Sequence, residues 1–97
     1  MALRIVVSDA LNRRVPRFAA QRFAAFQLLV ADVARGRAAG EHVHTSSING
    51  RNFYALKRGV YTLYYSVDPR LPDSLVFEEF LTDDEGELIM DVFSEQD

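Results

Sequence analysis

Two histidines, His42 and His44, stand two residues apart. On a regular strand they would share one face, the spacing that lets paired imidazoles hold a metal. A catalytic zinc needs a third protein ligand, and the chain has no further histidine and no cysteine. The pair therefore reads as part of an exposed strand, with no metal and no cofactor expected. Ser46 and Ser47 follow His44 closely. No glycine-flanked elbow surrounds either serine and no orienting acid can be named, so a nucleophile–base pair is not expected. Glu78 and Glu79 are adjacent. A regular strand sends neighbours to opposite faces, where two carboxylates cannot share a proton. Asp83, Asp84, Glu85 and Glu87 crowd an acidic turn over 82–87 without the spacing of a calcium loop. No glycine-rich phosphate loop occurs. None of these sets forms an autonomous active site.

The charges are more informative in bulk. Residues 1–70 carry all eleven Lys and Arg against four acids, whereas residues 71–97 carry ten acids and no base. The net charge of −3 conceals this division. Such asymmetry either neutralises itself inside the fold or marks a charged partner. Arg13, Arg14 and Arg17, with Arg35 and Arg37, could track phosphates. Tyr54, Tyr61, Tyr64 and Tyr65 could stack on bases if exposed, but cross-strand packing is the simpler reading for tyrosines on a sheet.

The elements that must position these residues follow from periodicity. Residues 3–8 read as a β-branched strand, and Ser8 or Asp9 as the cap of a helical turn over 9–14. Pro16 opens the principal helix, expected over 16–37. Ala19, Phe23, Phe26, Leu29, Val30 and Val33 fall on its apolar face, and Arg22 lies towards that face with its head reaching water. Gly36 or Gly40 supplies the stop. The period then changes to two. Strands are expected on either side of an Asn49-Gly50 hairpin turn, after a second turn at Arg58-Gly59, over 74–81 and over 88–93. Tyr61, Leu63, Tyr65 and Val67 fall on one side of their strand and Thr62, Tyr64 and Ser66 on the other. The expected architecture is α+β: an antiparallel meander of five to six strands over 42–93, packed on one long helix in a single domain spanning 1–97. A chain of 97 residues without a membrane-length apolar run or a signal-peptide layout points to the cytoplasm.

This layout resembles the bacterial toxin fold shared by the RelE and ParE families. The segments ALRIVVSDAL, NFYALKRGVYTLYYSVD and LIMDVFSEQD are similar to that family's first strand, paired central strands and closing strand. The resemblance implies a toxin of a toxin–antitoxin pair, either a ribonuclease or a topoisomerase poison, with Lys57, Tyr54 and Tyr61 as its site residues. Two departures bear on activity. Thr62 follows Tyr61 where the family carries an arginine, and the chain after 93 runs into Ser94, Glu95, Gln96 and Asp97 rather than into cations. Cleavage at a phosphate needs cations beside it. The sequence reading therefore favours a non-catalytic binding module, an acidic inhibitor or immunity-type protein that docks a basic toxin or nuclease. Its partner surface would comprise Glu78, Glu79, Asp83, Asp84, Glu85, Glu87 and Asp91, with Arg13, Arg14 and Arg17. The alternatives are a RelE/ParE-type toxin bound by a cognate antitoxin, and a homo-oligomer pairing through a sheet edge. Nucleic-acid binding through the basic helix ranks below a protein partner.

Overall fold

The computed structural model describes residues 4–85. The strand expected over 88–93, and the candidate residues Glu87 and Asp91, lie outside the described residues. Strand β1 (Arg4–Val7) leads into helix α1 (Asp9–Arg14), a 3-10 turn (Val15–Arg17) and helix α2 (Ala20–Ala34). Strands β2 (Glu41–Thr45), β3 (Asn52–Arg58), β4 (Tyr61–Val67) and β5 (Ser74–Thr82) follow. They form one five-stranded sheet in the order β1-β5-β4-β3-β2. The α+β class is as expected. The sheet is mixed rather than wholly antiparallel, because β1 lies parallel to β5.

Ser8 ends β1 and caps α1. Its Oγ accepts from the Leu11 amide at 3.1 Å and donates to the Glu78 carbonyl at 2.8 Å. The helix expected over 16–37 is broken, because Phe18 is extended, at φ −69° and ψ 137°. That conformation lets its ring meet Phe26 edge-on at 6.1 Å and Phe80 at 5.9 Å. Tertiary packing thus overrides local helix propensity, and α2 starts after the break. It ends before Gly36, whose φ of 72° supplies the expected stop.

The apolar face of α2 buries Phe26, Leu29 and Val33 against Leu63, Tyr65, Leu75, Phe77 and Phe80 of the sheet, with Leu11 of α1. Phe23, expected in this stripe, is 37% exposed instead. Both strand alternation and its failures are visible. In β4, Leu63 and Tyr65 face the helices while Tyr64 joins a second cluster with Phe53 and Leu81 on the other face. In β5 a register shift opposite Tyr64 and Tyr65 inserts an extra residue. Phe77 and Phe80 consequently both reach the helix-side core, which a regular strand forbids for residues three apart.

The turns differ in one place. Gly59 and Val60 join β3 to β4 as a two-residue hairpin, with Gly59 at φ 63°. The Asn49-Gly50 pair does not make the expected two-residue turn. The Gly50 amide instead donates to the Ser46 carbonyl at 2.9 Å across a longer loop, and among the described residues none other than glycine has positive φ. The expected turn would have required it of Asn49.

Two ties hold the connections to the sheet. Between α2 and β2, the Gly40 amide donates to the Tyr65 hydroxyl at 2.7 Å. A Cβ at Gly40 would lie 2.8 Å from the Ala55 carbonyl oxygen, so only glycine fits that approach. After β5, the Glu85 carboxylate accepts from the Thr82 amide at 2.9 Å, the reciprocal half of a Thr-x-x-Glu capping box. The same carboxylate accepts from Arg22 at 2.8 Å, and Arg14 spans Glu79 at 2.6 Å and Glu85 at 3.4 Å. Arg22 also donates to the Phe80 carbonyl at 2.7 Å and lies 4.4 Å over the Phe18 ring. Its head is therefore engaged within the protein, contrary to the expectation that it reaches water.

Two outcomes follow. Gly40→Ala is expected to cost about 1–3 kcal/mol in urea unfolding, because the obstructing atom is backbone and cannot rotate away. Burial pushes the Glu85 carboxyl up, but the Thr82 amide and the Arg22 guanidinium outweigh it and hold its pKa below the ordinary glutamate value. A depressed carboxylate stabilises the fold above its unfolded pKa, and that share is lost as pH falls through the folded value. Glu85→Gln should therefore lower stability at neutral pH by about 1 kcal/mol, after solvent screening of this partly exposed group. The variant and parent curves should converge well below about pH 4.

Candidate functional site

The described helices cover one face of the sheet, and among the described residues no helix lies on the other, the helix-free face formed by residues that alternate away from them. Lys57 of β3 faces this helix-free side, as do Phe53 and Ala55 on the same strand. Thr62, Tyr64 and Ser66 of β4 join them. A depression of about 510 Å³ opens here, lined by Ala39, Glu41, Ala55, Leu56, Lys57 and Thr62.

The residues expected to serve a toxin are divided between the two faces. Tyr54 stacks on Tyr65 at 5.3 Å, and Tyr61 stacks on Phe80 at 5.1 Å, both on the helix side. Their rings brace the core and do not meet Lys57. The tyrosine that shares a face with Lys57 is Tyr64. Burial raises its phenol pKa; Lys57 draws it down and Asp83 pushes it up, which places all three in one electrostatic neighbourhood. Lys57 itself is ion-paired with Asp83. The signal for Tyr64 was present in the sequence. A two-residue turn after Arg58 pairs Lys57 with Thr62 and Ala55 with Tyr64, so these four share a face and Tyr61 does not.

A polar relay occupies the same face. Arg51 Nε donates to Ser66 Oγ at 2.8 Å, and Ser66 Oγ donates to Glu78 Oε2 at 2.6 Å. Ser66 is fully buried, so this relay satisfies a hydroxyl that would otherwise be costly. The bulge in β5 also corrects the expectation for the adjacent glutamates. Glu78 bonds Ser66 and Glu79 sits opposite Tyr64, so both belong to the helix-free side.

The acids expected to form a docking surface are largely engaged within the chain. Glu78 meets Ser66 and Arg51, Glu79 meets Arg14, Asp83 meets Lys57, and Glu85 meets Arg14 and Arg22. Asp84 is exposed. Arg14 is thus an internal partner, whereas Arg13 and Arg17 are exposed and make no ion pair among the described residues. Among the described residues, Glu78, Glu79, Asp83 and Glu85 of the acidic segment are paired with cations of the basic one.

The histidines also part company. A register shift between His42 and His44 leaves Val43 as the extra residue. His42 packs on Tyr54 and His44 on Phe53, which face opposite sides of the sheet. His42 Nε2 lies 2.7 Å from Thr45 Oγ1. Among the described residues, no three metal-ligating side chains gather. Ser46 Oγ accepts from the Ile48 amide at 3.2 Å, a local turn bond rather than a catalytic contact. No described helix is long and apolar enough to cross a membrane.

No family model matches the chain, and no curated protein does. A solved structure is similar: one chain of the archaeal RelE–RelB complex from Pyrococcus horikoshii OT3, at a TM-score of 0.55 and 13% sequence identity. The match covers 84% of this chain and 96% of that one. The α+β arrangement of a helix pair on one face of a five-stranded sheet is therefore a RelE-like fold.

Proposed function

We propose that the protein is the toxin-type member of a toxin–antitoxin pair, held by a cognate protein and acting through the helix-free face of its sheet. The observation that carries this reading is the RelE-like fold, shared with a chain solved in complex with RelB. The acidic inhibitor or immunity reading finds no support in that similarity. Its proposed surface also consists mainly of carboxylates with internal cationic partners.

The charge arrangement favours a protein target over RNA. Binding to a phosphate backbone draws on cations free to replace counterions. On the helix-free face Lys57 is neutralised by Asp83, and Arg51 is tied to Ser66 beside Glu78. The chain after residue 70 supplies no cation at all. A protein surface can instead exchange such pairs for intermolecular ones, which gives specificity and speed of association.

The test is induced expression in a bacterial host, alone and with the product of the adjacent small gene. Growth arrest relieved by that product, with intact RNA and impaired topoisomerase activity, is the expected result. Unimpaired growth at confirmed soluble expression would overturn the toxin reading, and RNA cleavage by the purified chain would overturn the protein target. Lys57→Ala should relieve the arrest while changing stability by no more than about 1 kcal/mol, since an exposed ion pair contributes little.

A further inference from the structure

A second surface lies at the junction of the two helices, on residues that neither the core nor the helix-free face uses. The 3-10 turn and the extended Phe18 separate α1 from α2 and leave a depression of about 500 Å³. Val15, Pro16, Phe18, Ala20 and Phe23 line it. Val15 and Phe18 form its inner wall, since both also pack on the core. Phe23 and Pro16 stand at its exposed side. A phenylalanine on the core-facing stripe of a helix that remains 37% exposed presents apolar surface that the described residues leave partly open.

The charges beside this depression are of one sign. Arg17 lies within its wall segment between Pro16 and Phe18, and Arg13 precedes it by one helical turn. The neighbouring Arg14 turns to Glu79 and Glu85, but Arg13 and Arg17 have no ion-pair partner among the described residues. Asp9, one turn before Arg13, opens α1 and makes no ion pair with it. Six of the ten described acids are paired with other cations of the fold: Asp32, Asp68, Glu78, Glu79, Asp83 and Glu85. An apolar floor beside two arginines that lack an ion-pair partner among the described residues fits a ligand that is itself amphipathic and acidic.

We propose that the α1–α2 junction docks an acidic segment of a partner protein, seating an aliphatic or aromatic side chain against Pro16 and Phe23 and its flanking carboxylates on Arg13 and Arg17. The apolar floor decides between ligand classes. A nucleic-acid backbone would use the arginines and leave Phe23 uncovered, whereas a peptide satisfies both. Bidentate arginine–carboxylate pairing supplies orientation, and the buried anchor supplies most of the affinity. The proposal is independent of toxin activity, because it concerns binding at a surface other than the helix-free sheet face.

The isotope-labelled full chain is titrated with a short synthetic peptide of Glu and Asp carrying one Leu and one Phe. A matched peptide with Ser at those two positions and a single-stranded RNA oligonucleotide form the other arms. The expected result is saturable amide shift changes over residues 13–23 with the first peptide alone. Affinity should fall by about tenfold or more in an Arg13→Gln, Arg17→Gln double variant, as for loss of paired charges at an interface. Phe23→Ser should weaken binding comparably. If that variant is misfolded by its thermal midpoint, the double arginine variant decides, since neither arginine makes an ion pair among the described residues. Shift changes confined to the sheet face, equal binding of the serine peptide, tighter binding of the RNA, or unchanged affinity in the arginine variant would each overturn the proposal. None of these readouts depends on growth arrest, so this site and the toxin reading can fail separately.

Discussion

The extra residue in β5 governs how the two layers meet. Regular alternation would place Phe77 and Phe80 on opposite faces. With the bulge, both rings enter the helix-side core, where Phe80 receives Phe18, Phe26 and Tyr61 and Phe77 receives Tyr65. The same irregularity places Glu78 beside Ser66 and Arg51, and Glu79 within reach of Arg14. It also leaves the Glu78 carbonyl to accept from the hydroxyl of Ser8, the residue that caps α1. Core packing, the polar relay on the helix-free face and the start of the helical layer thus share one local feature. Bulges of this kind re-aim side chains at the cost of one ladder position.

Where periodicity was unbroken, the sequence predicted structure well. The alternation of Tyr61, Leu63, Tyr65 and Val67 placed all four on the helix side, where they pack. The stop at Gly36 and the turn expected at Arg58-Gly59, which the structure places one residue later at Gly59-Val60, rested on positive φ, which glycine adopts without steric penalty. The failures have physical causes of another order. Counting in twos cannot see an inserted residue, so His42 and His44 were expected together and Glu78 and Glu79 apart, the reverse of what the register gives. A helix over 16–37 was reasonable on propensity, but Phe18 leaves the helical region to pack between Phe26 and Phe80. The candidate site was half legible. Lys57 was named from the family resemblance, whereas seeing that Tyr64 shares its face required combining turn length with register.

The charge division between the two chain segments also acquires a structural meaning. Arg14, Arg22, Arg51 and Lys57 come from the basic segment, and Glu78, Glu79, Asp83 and Glu85 answer them from the acidic one. Exposed pairs of this kind add little individually. Arg22 differs, because its guanidinium also bonds the Phe80 carbonyl and lies over Phe18. It joins α2, the end of β5 and the turn that follows through one side chain. An alanine there would remove packing as well as charge.

The parallel pairing of β1 with β5 has a consequence for how the protein comes into being. The first described strand finds its sheet neighbour only at residues 74–77, after every other described strand has been made. On a nascent chain emerging from the ribosome, the helices and the β2–β3–β4 hairpins can form early, while β1 waits without its partner strand. Such long-range closure is slow compared with local contacts. The bulge, the capping contact of Ser8 and the face carrying Glu78 all depend on β5. Those features therefore form only after residues 74–82 have been made, later than the contacts among β2, β3 and β4.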